Sequence, residues 1–116
     1  MATINNILGQ ADVVKHENKT IFDKTLAVTK DDGTSFSLSG YTGVFTIAEK
    51  QNGTVLYSIA SGSDELTFSS NTFRINDKIS FGEYFKLYFE LTITSSTNSE
   101  LVYVPWYGVW YNYYNT

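Results

Sequence analysis

Apolar and polar residues alternate strictly between residues 84 and 94. One parity holds the apolar side chains Phe85, Leu87, Phe89, Leu91 and Ile93. The other parity holds tyrosine, lysine, glutamate and threonine. This period of two is typical of a strand with one buried face. We therefore predict a core strand made by these five apolar residues, with Gly82 and Tyr84 fixing its entry.

Shorter runs of the same kind occupy most of the remaining chain. They lie within residues 20–28, 44–48, 55–59, 66–68, 73–75 and 101–110, separated by turn sequences such as Asp31-Asp32-Gly33-Thr34 and Asn52-Gly53. No segment has the length and period of a crossover helix. The pattern predicts an all-β, antiparallel sandwich of about seven to nine strands, with a closed barrel as the alternative. Pro105 interrupts the last run and predicts an edge or a bulge there.

The chain has 116 residues, which is enough for one domain. We predict an amino-terminal arm or lead-in segment over residues 1–19, a β-sandwich over residues 20–111 and an aromatic tip over residues 112–116. The arm is polar apart from Ile4, Ile7 and Leu8. These three apolar side chains are expected to dock on a neighbouring molecule.

The carboxyl-terminal segment is dense in aromatic residues and holds both tryptophans, Trp106 and Trp110. As a strand it would bury alternate rings in the core, with one parity carrying Trp106, Gly108 and Trp110 and the other carrying Tyr107, Val109 and Tyr111. Alternatively, the rings extend beyond the sandwich and offer a surface to another subunit or to a sugar. Tyr113 and Tyr114 are expected to be the most exposed part.

Charge and composition narrow the classes of partner. The formal net charge is −4 and the pI is about 4.7, which disfavours binding to a phosphate backbone. The longest apolar runs are far shorter than the roughly 20 residues of a membrane-spanning helix, and the amino terminus lacks the basic and apolar regions of a signal peptide. We therefore expect no nucleic-acid partner, no membrane partner and no Sec-type export.

Residues that could support catalysis are few. The single histidine, His16, lies in a polar stretch and is predicted to be a solvated loop residue. Acidic pairs occur at Asp31-Asp32 and Asp64-Glu65, where carboxylates are common as turn formers. There is no cysteine and no glycine-rich phosphate loop. The sequence predicts a protein that is not an enzyme and that uses no metal or cofactor.

The segment Asp31-Asp32-Gly33-Thr34-Ser35-Phe36-Ser37-Leu38-Ser39-Gly40-Tyr41-Thr42 resembles a pattern in the immunoglobulin-like domains of tailed-phage structural proteins. In that family, typified by the amino-terminal domain of upper baseplate proteins, an Asp-Gly-Thr hairpin precedes Leu-Ser/Thr-Gly-Tyr and the next strand. Gly82-Glu83-Tyr84 and residues 101–110 stand where the family has a Gly-x-Tyr entry and a closing aromatic strand. The resemblance spans roughly residues 20–111.

The resemblance implies an immunoglobulin-like β-sandwich in a virion structural protein of a tail, baseplate, neck or capsid. Such a protein would be assembled in the host cytoplasm, as a homo-oligomer or bound in the particle, through contacts with other phage structural subunits. The family has no catalytic residues to carry over. The residues expected to contact partners are Ile4, Ile7, Leu8, Trp106, Trp110, Tyr113 and Tyr114. The alternative is a carbohydrate- or receptor-binding module that uses the carboxyl-terminal aromatics.

Overall fold

The computed structural model describes residues 7, 9–51, 53–81 and 84–113. These residues form eight strands and no helix. The strands build two sheets that pack face to face, which confirms the predicted all-β sandwich. The strands are β1 (Gln10–Glu17), β2 (Thr20–Ala27), β3 (Tyr41–Ala48), β4 (Val55–Ala60), β5 (Leu66–Ser69), β6 (Thr72–Ile79), β7 (Lys86–Ser95) and β8 (Val102–Tyr113).

The larger sheet has the strand order β1-β8-β7-β3-β4, and the smaller sheet has the order β2-β6-β5. Neighbouring strands pair antiparallel, as predicted, except that β1 runs parallel to β8. The chain passes from β1 in one sheet to β2 in the other through a turn at Asn18 and Lys19, where Lys19 has φ of 68°. A parallel pair is feasible here because the two strands come from opposite ends of the chain and need no direct connection.

The predicted boundaries at both ends of the chain are wrong. Residues 10–17 are an edge strand of the larger sheet and not part of an arm. Asn112 and Tyr113 continue β8, so the strand extends into the predicted tip. In β1, the side chains on the core side are largely polar, and its alternation is correspondingly weak in the sequence.

The core lies between the inner faces of the two sheets, and both indoles are at its centre. The ring of Trp106 lies 4.4 Å from that of Phe89 and 5.8 Å from that of Phe45, measured between centroids. The ring of Trp110 lies 4.8 Å from that of Phe22, which comes from the opposite sheet. The sheets are also joined by Tyr57, whose hydroxyl donates to Asp77 Oδ2 at 2.6 Å. Burial, followed by this bond, raises the Tyr57 pKa well above its ordinary value.

Pro105 lies at a β-bulge, one of the two predicted outcomes. Leu91 pairs with Trp106 and Ile93 pairs with Tyr103, so two residues of β8 lie opposite one residue of β7. The pairing of β8 with β1 begins only at Trp106. Proline is therefore tolerated because its missing N–H is not required by a second neighbouring strand.

The prediction for β7 is confirmed at four of its five apolar positions. Leu87, Phe89, Leu91 and Ile93 are buried. Phe85 is 54% exposed, so its assignment to the core is wrong. It precedes the first residue of β7, where the pleat no longer determines the side-chain direction, and its ring packs on those of Tyr111 and Tyr113. Gly82 lies outside the described residues.

Replacement of Phe89 by alanine tests the assignment of the core strand. We expect Phe89→Ala to lower the free energy of unfolding by about 3–5 kcal/mol, because it removes a buried ring that packs on Trp106. Thr92→Ala, on the outer side of the same strand, should change it by less than about 1 kcal/mol. Urea unfolding measures both changes, and an unchanged midpoint for Phe89→Ala would contradict the assignment.

Gly108 allows β1 and β8 to approach each other. A Cβ at this position would lie 1.9 Å from the backbone oxygen of Asp12, and the residue has φ of 154°. We expect Gly108→Ala to lower the free energy of unfolding by about 2–4 kcal/mol, since the backbone of β1 must move. The control is Gly62→Ala, at a φ of 90° with open space around it, which should cost about 1–2 kcal/mol from backbone strain alone. Equal losses in urea unfolding would show that the close approach is not what selects glycine at position 108.

Candidate functional site

The outer face of the larger sheet carries a row of apolar side chains that crosses all five strands. Val13 pairs with Val109, and Val109 pairs with Tyr88. Tyr88 pairs with Ala48, and Ala48 pairs with Val55. The members on β1, β3, β7 and β8 belong to the parity that points away from the core. Val55 has the same parity as the core-facing residues of β4, and it lies opposite Ala48 because the β3–β4 pairing shifts register between Ile47 and Ala48. We call these five paired residues the apolar row.

Exposed large apolar side chains are unevenly divided between the two sheets. Val13 and Val55, at the two ends of the apolar row, are 57% and 50% exposed. Tyr107, beside the row on β8, is 42% exposed. Among the described large apolar side chains that are exposed, Ile21 alone belongs to the smaller sheet. An apolar face of this kind is characteristic of interaction sites.

The smaller sheet has a polar outer face by comparison. Arg74 on β6 donates two hydrogen bonds to the carboxylate of Asp23 on β2, at 2.9 and 2.8 Å. This ion pair lowers the Asp23 pKa. Lys78, on the outer side of β6, is also exposed. The contrast between the two faces singles out the larger sheet as the candidate site.

A trough of about 470 Å³ lies along part of the apolar row. Its floor includes Ala48, Tyr88 and Val109, and its lining extends to Tyr107 and to the β3–β4 hairpin at Lys50. Its size falls in the range of ligand-binding clefts. The trough can therefore accept a small group or side chains of a docked protein.

Two opposite charges flank Tyr88 on the central strand of the larger sheet. Lys86 lies two residues before Tyr88 and Glu90 lies two residues after it, so all three point to the same side of β7. Both charged residues are exposed. The ammonium of Lys86 lies 5.8 Å from the centroid of the Tyr88 ring, at the outer limit of a cation–π contact. The candidate site is thus an apolar row with a cation on one side and an anion on the other.

The structure corrects the expectation that Trp106 and Trp110 contact a partner. Both side chains are fully buried, with 0% exposure. The indole N–H of Trp106 donates to Asp12 Oδ2 at 3.2 Å, within the domain. Neither ring is available to a sugar or to another subunit in this fold.

The other predicted contact residues have different positions. Ile7 forms an isolated bridge with Lys30 and packs partly against the domain's own core, which is the physical reason why it is not a free anchor. Tyr113 is 43% exposed and packs edge-on against Phe85 on the outer face. Ile4, Leu8 and Tyr114 lie outside the described residues.

His16 is buried, so its prediction as a solvated loop residue is wrong. Its side chain lies on the core side of β1 and its ring centroid lies 5.4 Å from that of Trp110. Its Nε2 is 3.0 Å from the carbonyl oxygen of Thr20, which can only accept, so Nε2 carries the proton. Burial lowers the His16 pKa and outweighs the opposing effects of the backbone hydrogen bonds and of Glu17. Lys15 and Glu17, the residues on either side of His16, are outward-facing residues of the strand.

Two buried asparagines near His16 hold the connection between β6 and β7. Asn18 accepts a hydrogen bond from the backbone N–H of Phe81 at 2.8 Å. The side-chain amide of Asn112 donates to the carbonyl of Tyr84 at 2.9 Å. These contacts are structural, and they explain why polar residues are buried at this end of the sandwich.

Groups of three or more side chains suited to holding a metal are absent from the described part of the chain. Within the same residues there is no helix with the length and hydropathy needed to cross a membrane. The chain matches no protein-family model and no curated protein sequence.

Sequence reasoning did not identify the apolar row. Its members come from five strands, and three of them, Val13, Ala48 and Val55, adjoin another aliphatic residue, so the sequence does not show which of the two faces outward. The sequence does contain one signal, which is the alternation in β8. The side of β8 opposite to the tryptophans carries Tyr107, Val109, Tyr111 and Tyr113. Placing either tryptophan in the core would have predicted that these four residues face outward.

The burial of His16 predicts that stability falls in weak acid. Burial lowers the His16 pKa in the folded chain, so the ring binds a proton at a lower pH there than in the unfolded chain, where the pKa has its ordinary value of about 6.5. The unfolded state therefore binds more protons as the pH falls below about 6.5, and the free energy of unfolding decreases there. Well above that pH His16 is neutral in both states, so it no longer makes the free energy of unfolding depend on pH.

Urea unfolding at about pH 7.5 and about pH 5.5 measures this loss, in a range where most carboxylates remain ionised. His16→Gln should be less stable at both values, because the buried ring is lost, but its stability should depend less on pH. The same pH dependence in both proteins would contradict the assignment to His16.

Proposed function

We propose that this chain is a non-enzymatic structural subunit of a bacteriophage particle, with an immunoglobulin-like fold, that acts through protein–protein contacts. The observation that carries the proposal is the apolar row across the outer face of the larger sheet, which is exposed at its two ends and partly buried in its middle. Apolar surface that is concentrated on one face while the other face is polar favours a protein partner.

The strand order supports the immunoglobulin-like part of the proposal. In that fold one sheet contains strands B, E and D, and the other contains G, F and C. The orders β2-β6-β5 and β8-β7-β3 correspond to these two sets when the strands are taken in sequence. The core differs from that of antibody domains, since the tryptophans lie on the last strand and the chain has no cysteine.

The segment that carries the resemblance to phage proteins forms an ordered connection between the sheets. Asp32 Oδ1 accepts hydrogen bonds from the backbone N–H and the hydroxyl of Thr34, at 3.0 and 2.6 Å. Phe36 and Leu38 are buried at the end of the core. Gly40 has φ of 80°, and its carbonyl accepts the Ser96 hydroxyl at 2.7 Å. Asp32, Thr34, Phe36, Leu38 and Gly40 of this pattern therefore each have a packing, turn or hydrogen-bonding role in the connection.

Mass spectrometry of purified virions tests this proposal. We expect the chain to be found in particles of the phage that encodes it, at a fixed ratio to the major structural proteins. The control is a phage-encoded enzyme that is not packaged, which should be lost during purification. Absence of the chain from intact particles would refute the virion role.

A second candidate function, saccharide binding, is favoured by the trough. Tyr107 is exposed at its side, and Glu90 offers a carboxylate that can accept hydrogen bonds from sugar hydroxyls. The buried tryptophans take no part. A glycan array with the wild-type chain and Tyr107→Ala tests this candidate: binding that Tyr107→Ala abolishes would support it, and the absence of binding would exclude it for the glycans tested.

A further inference from the structure

We propose that the outer face of the larger sheet binds a second copy of this chain, in a two-fold dimer whose axis runs along the apolar row. The inference rests on the proposed assembly role and adds to it the identity of one partner and the residues that pair. The register of the sheet and the positions of Lys86 and Glu90 support this arrangement.

The register makes this face complementary to itself. A two-fold axis along the apolar row places the second copy face to face with the first and reverses its strand direction. A residue before the row on a strand of one copy therefore faces a residue after the row on the same strand of the other copy. Lys86 and Glu90 are each two residues from Tyr88, which is about 7 Å along the strand, in opposite directions. Lys86 of one copy therefore faces Glu90 of the other, and the pair occurs twice.

The position of β7 makes these pairs insensitive to sheet twist. Two packed sheets have strands that cross at about 30°, which displaces facing residues progressively away from the centre of contact. β7 is the middle strand of the five, so Lys86 and Glu90 stay close to that centre. Packed sheets are about 10 Å apart, a gap that a lysine and a glutamate can span together.

The size of the face is sufficient for such a contact. Five strands spaced about 4.8 Å, with about eight residues each, give a face of roughly 24 by 27 Å. This is about 650 Å² per partner, within the lower part of the roughly 600–1,000 Å² per partner of a standard interface. The apolar row would then pack on its symmetry copy, and the trough beside Tyr88 offers space for aromatic rings of the partner.

Charge reversal at the two flanking positions tests the dimer. In Lys86→Glu, residue 86 faces Glu90 of the partner with like charge, and in Glu90→Lys, residue 90 faces Lys86 with like charge. We expect the wild-type chain to show a monomer–dimer equilibrium by sedimentation equilibrium, and each single variant to have a dimer dissociation constant raised about tenfold or more.

Mixing the two single variants gives the decisive comparison. A dimer of Lys86→Glu with Glu90→Lys has an opposite pair at both sites, so the equimolar mixture should associate about as tightly as wild type. The double variant Lys86→Glu/Glu90→Lys should also recover association, because it exchanges the two charges. The single variants separate pairing from net charge, because Lys86→Glu changes the formal charge from −4 to −6 whereas Glu90→Lys changes it from −4 to −2, and only specific pairing weakens the dimer in both. A loss of stability in one chain would not be recovered by mixing.

Lys78→Glu is the matched control, because it makes the same change of charge on the outer face of the smaller sheet. It should leave the dimer unchanged, and the urea midpoints of all variants establish that they are folded.

Three results would overturn the proposal: a wild-type chain that stays monomeric at every concentration, a dimer whose dissociation constant is unchanged by both charge reversals, or a mixture of the single variants that does not recover association. A monomer that binds glycans through Tyr107 would assign the face to a saccharide instead. The outcome of the virion test is independent of this one, because mass spectrometry of virions measures packaging and sedimentation measures self-association.

Discussion

The packing of Trp106 and Trp110 between the two sheets determines which side of β8 faces the solvent. Each indole is fully buried, and a ring of this kind removes roughly 200 Å² from water. At about 25 cal/mol per Å², that burial contributes up to about 5 kcal/mol for each ring. Turning the strand over would expose both rings. The outward direction of Tyr107, Val109 and Tyr111 is therefore a consequence of the core.

The alternation in β7 could be interpreted directly, whereas that in β8 could not. In β7 one parity is apolar and the other is polar, so burying Leu87 and Phe89 follows from the sequence alone. In β8 both parities are aromatic or apolar, and the sequence pattern does not decide which side is buried. The choice depends on side-chain volume at the centre of the core, where the larger indoles fill the space between Phe22 and Phe45.

The hydrophobic pattern does not predict β1, for a different physical reason. On its core side it places Asp12, Val14 and His16, of which two are polar. Their burial depends on partners distant in the chain or outside β1: Asp12 accepts from the indole of Trp106, and His16 donates to the Thr20 carbonyl. A hydrophobicity pattern cannot show such compensation, because the partner residues are chosen by the fold. The apolar row is likewise not visible in the sequence pattern, because Val13 lies beside Val109 only when β1 pairs with β8.

The edges of the two sheets are poorly suited to association, which is why the proposed contact uses the face of the larger sheet. β4 and β5 are edge strands of six and four residues, too short to present a long unpaired backbone. The other two edges carry charges, with Lys15 and Glu17 on β1 and Asp23 and Lys24 on β2. Short or charged edges disfavour the addition of a further strand. Association through side chains of the apolar row does not depend on any edge, and the row keeps its geometry because all five of its strands are joined by backbone hydrogen bonds.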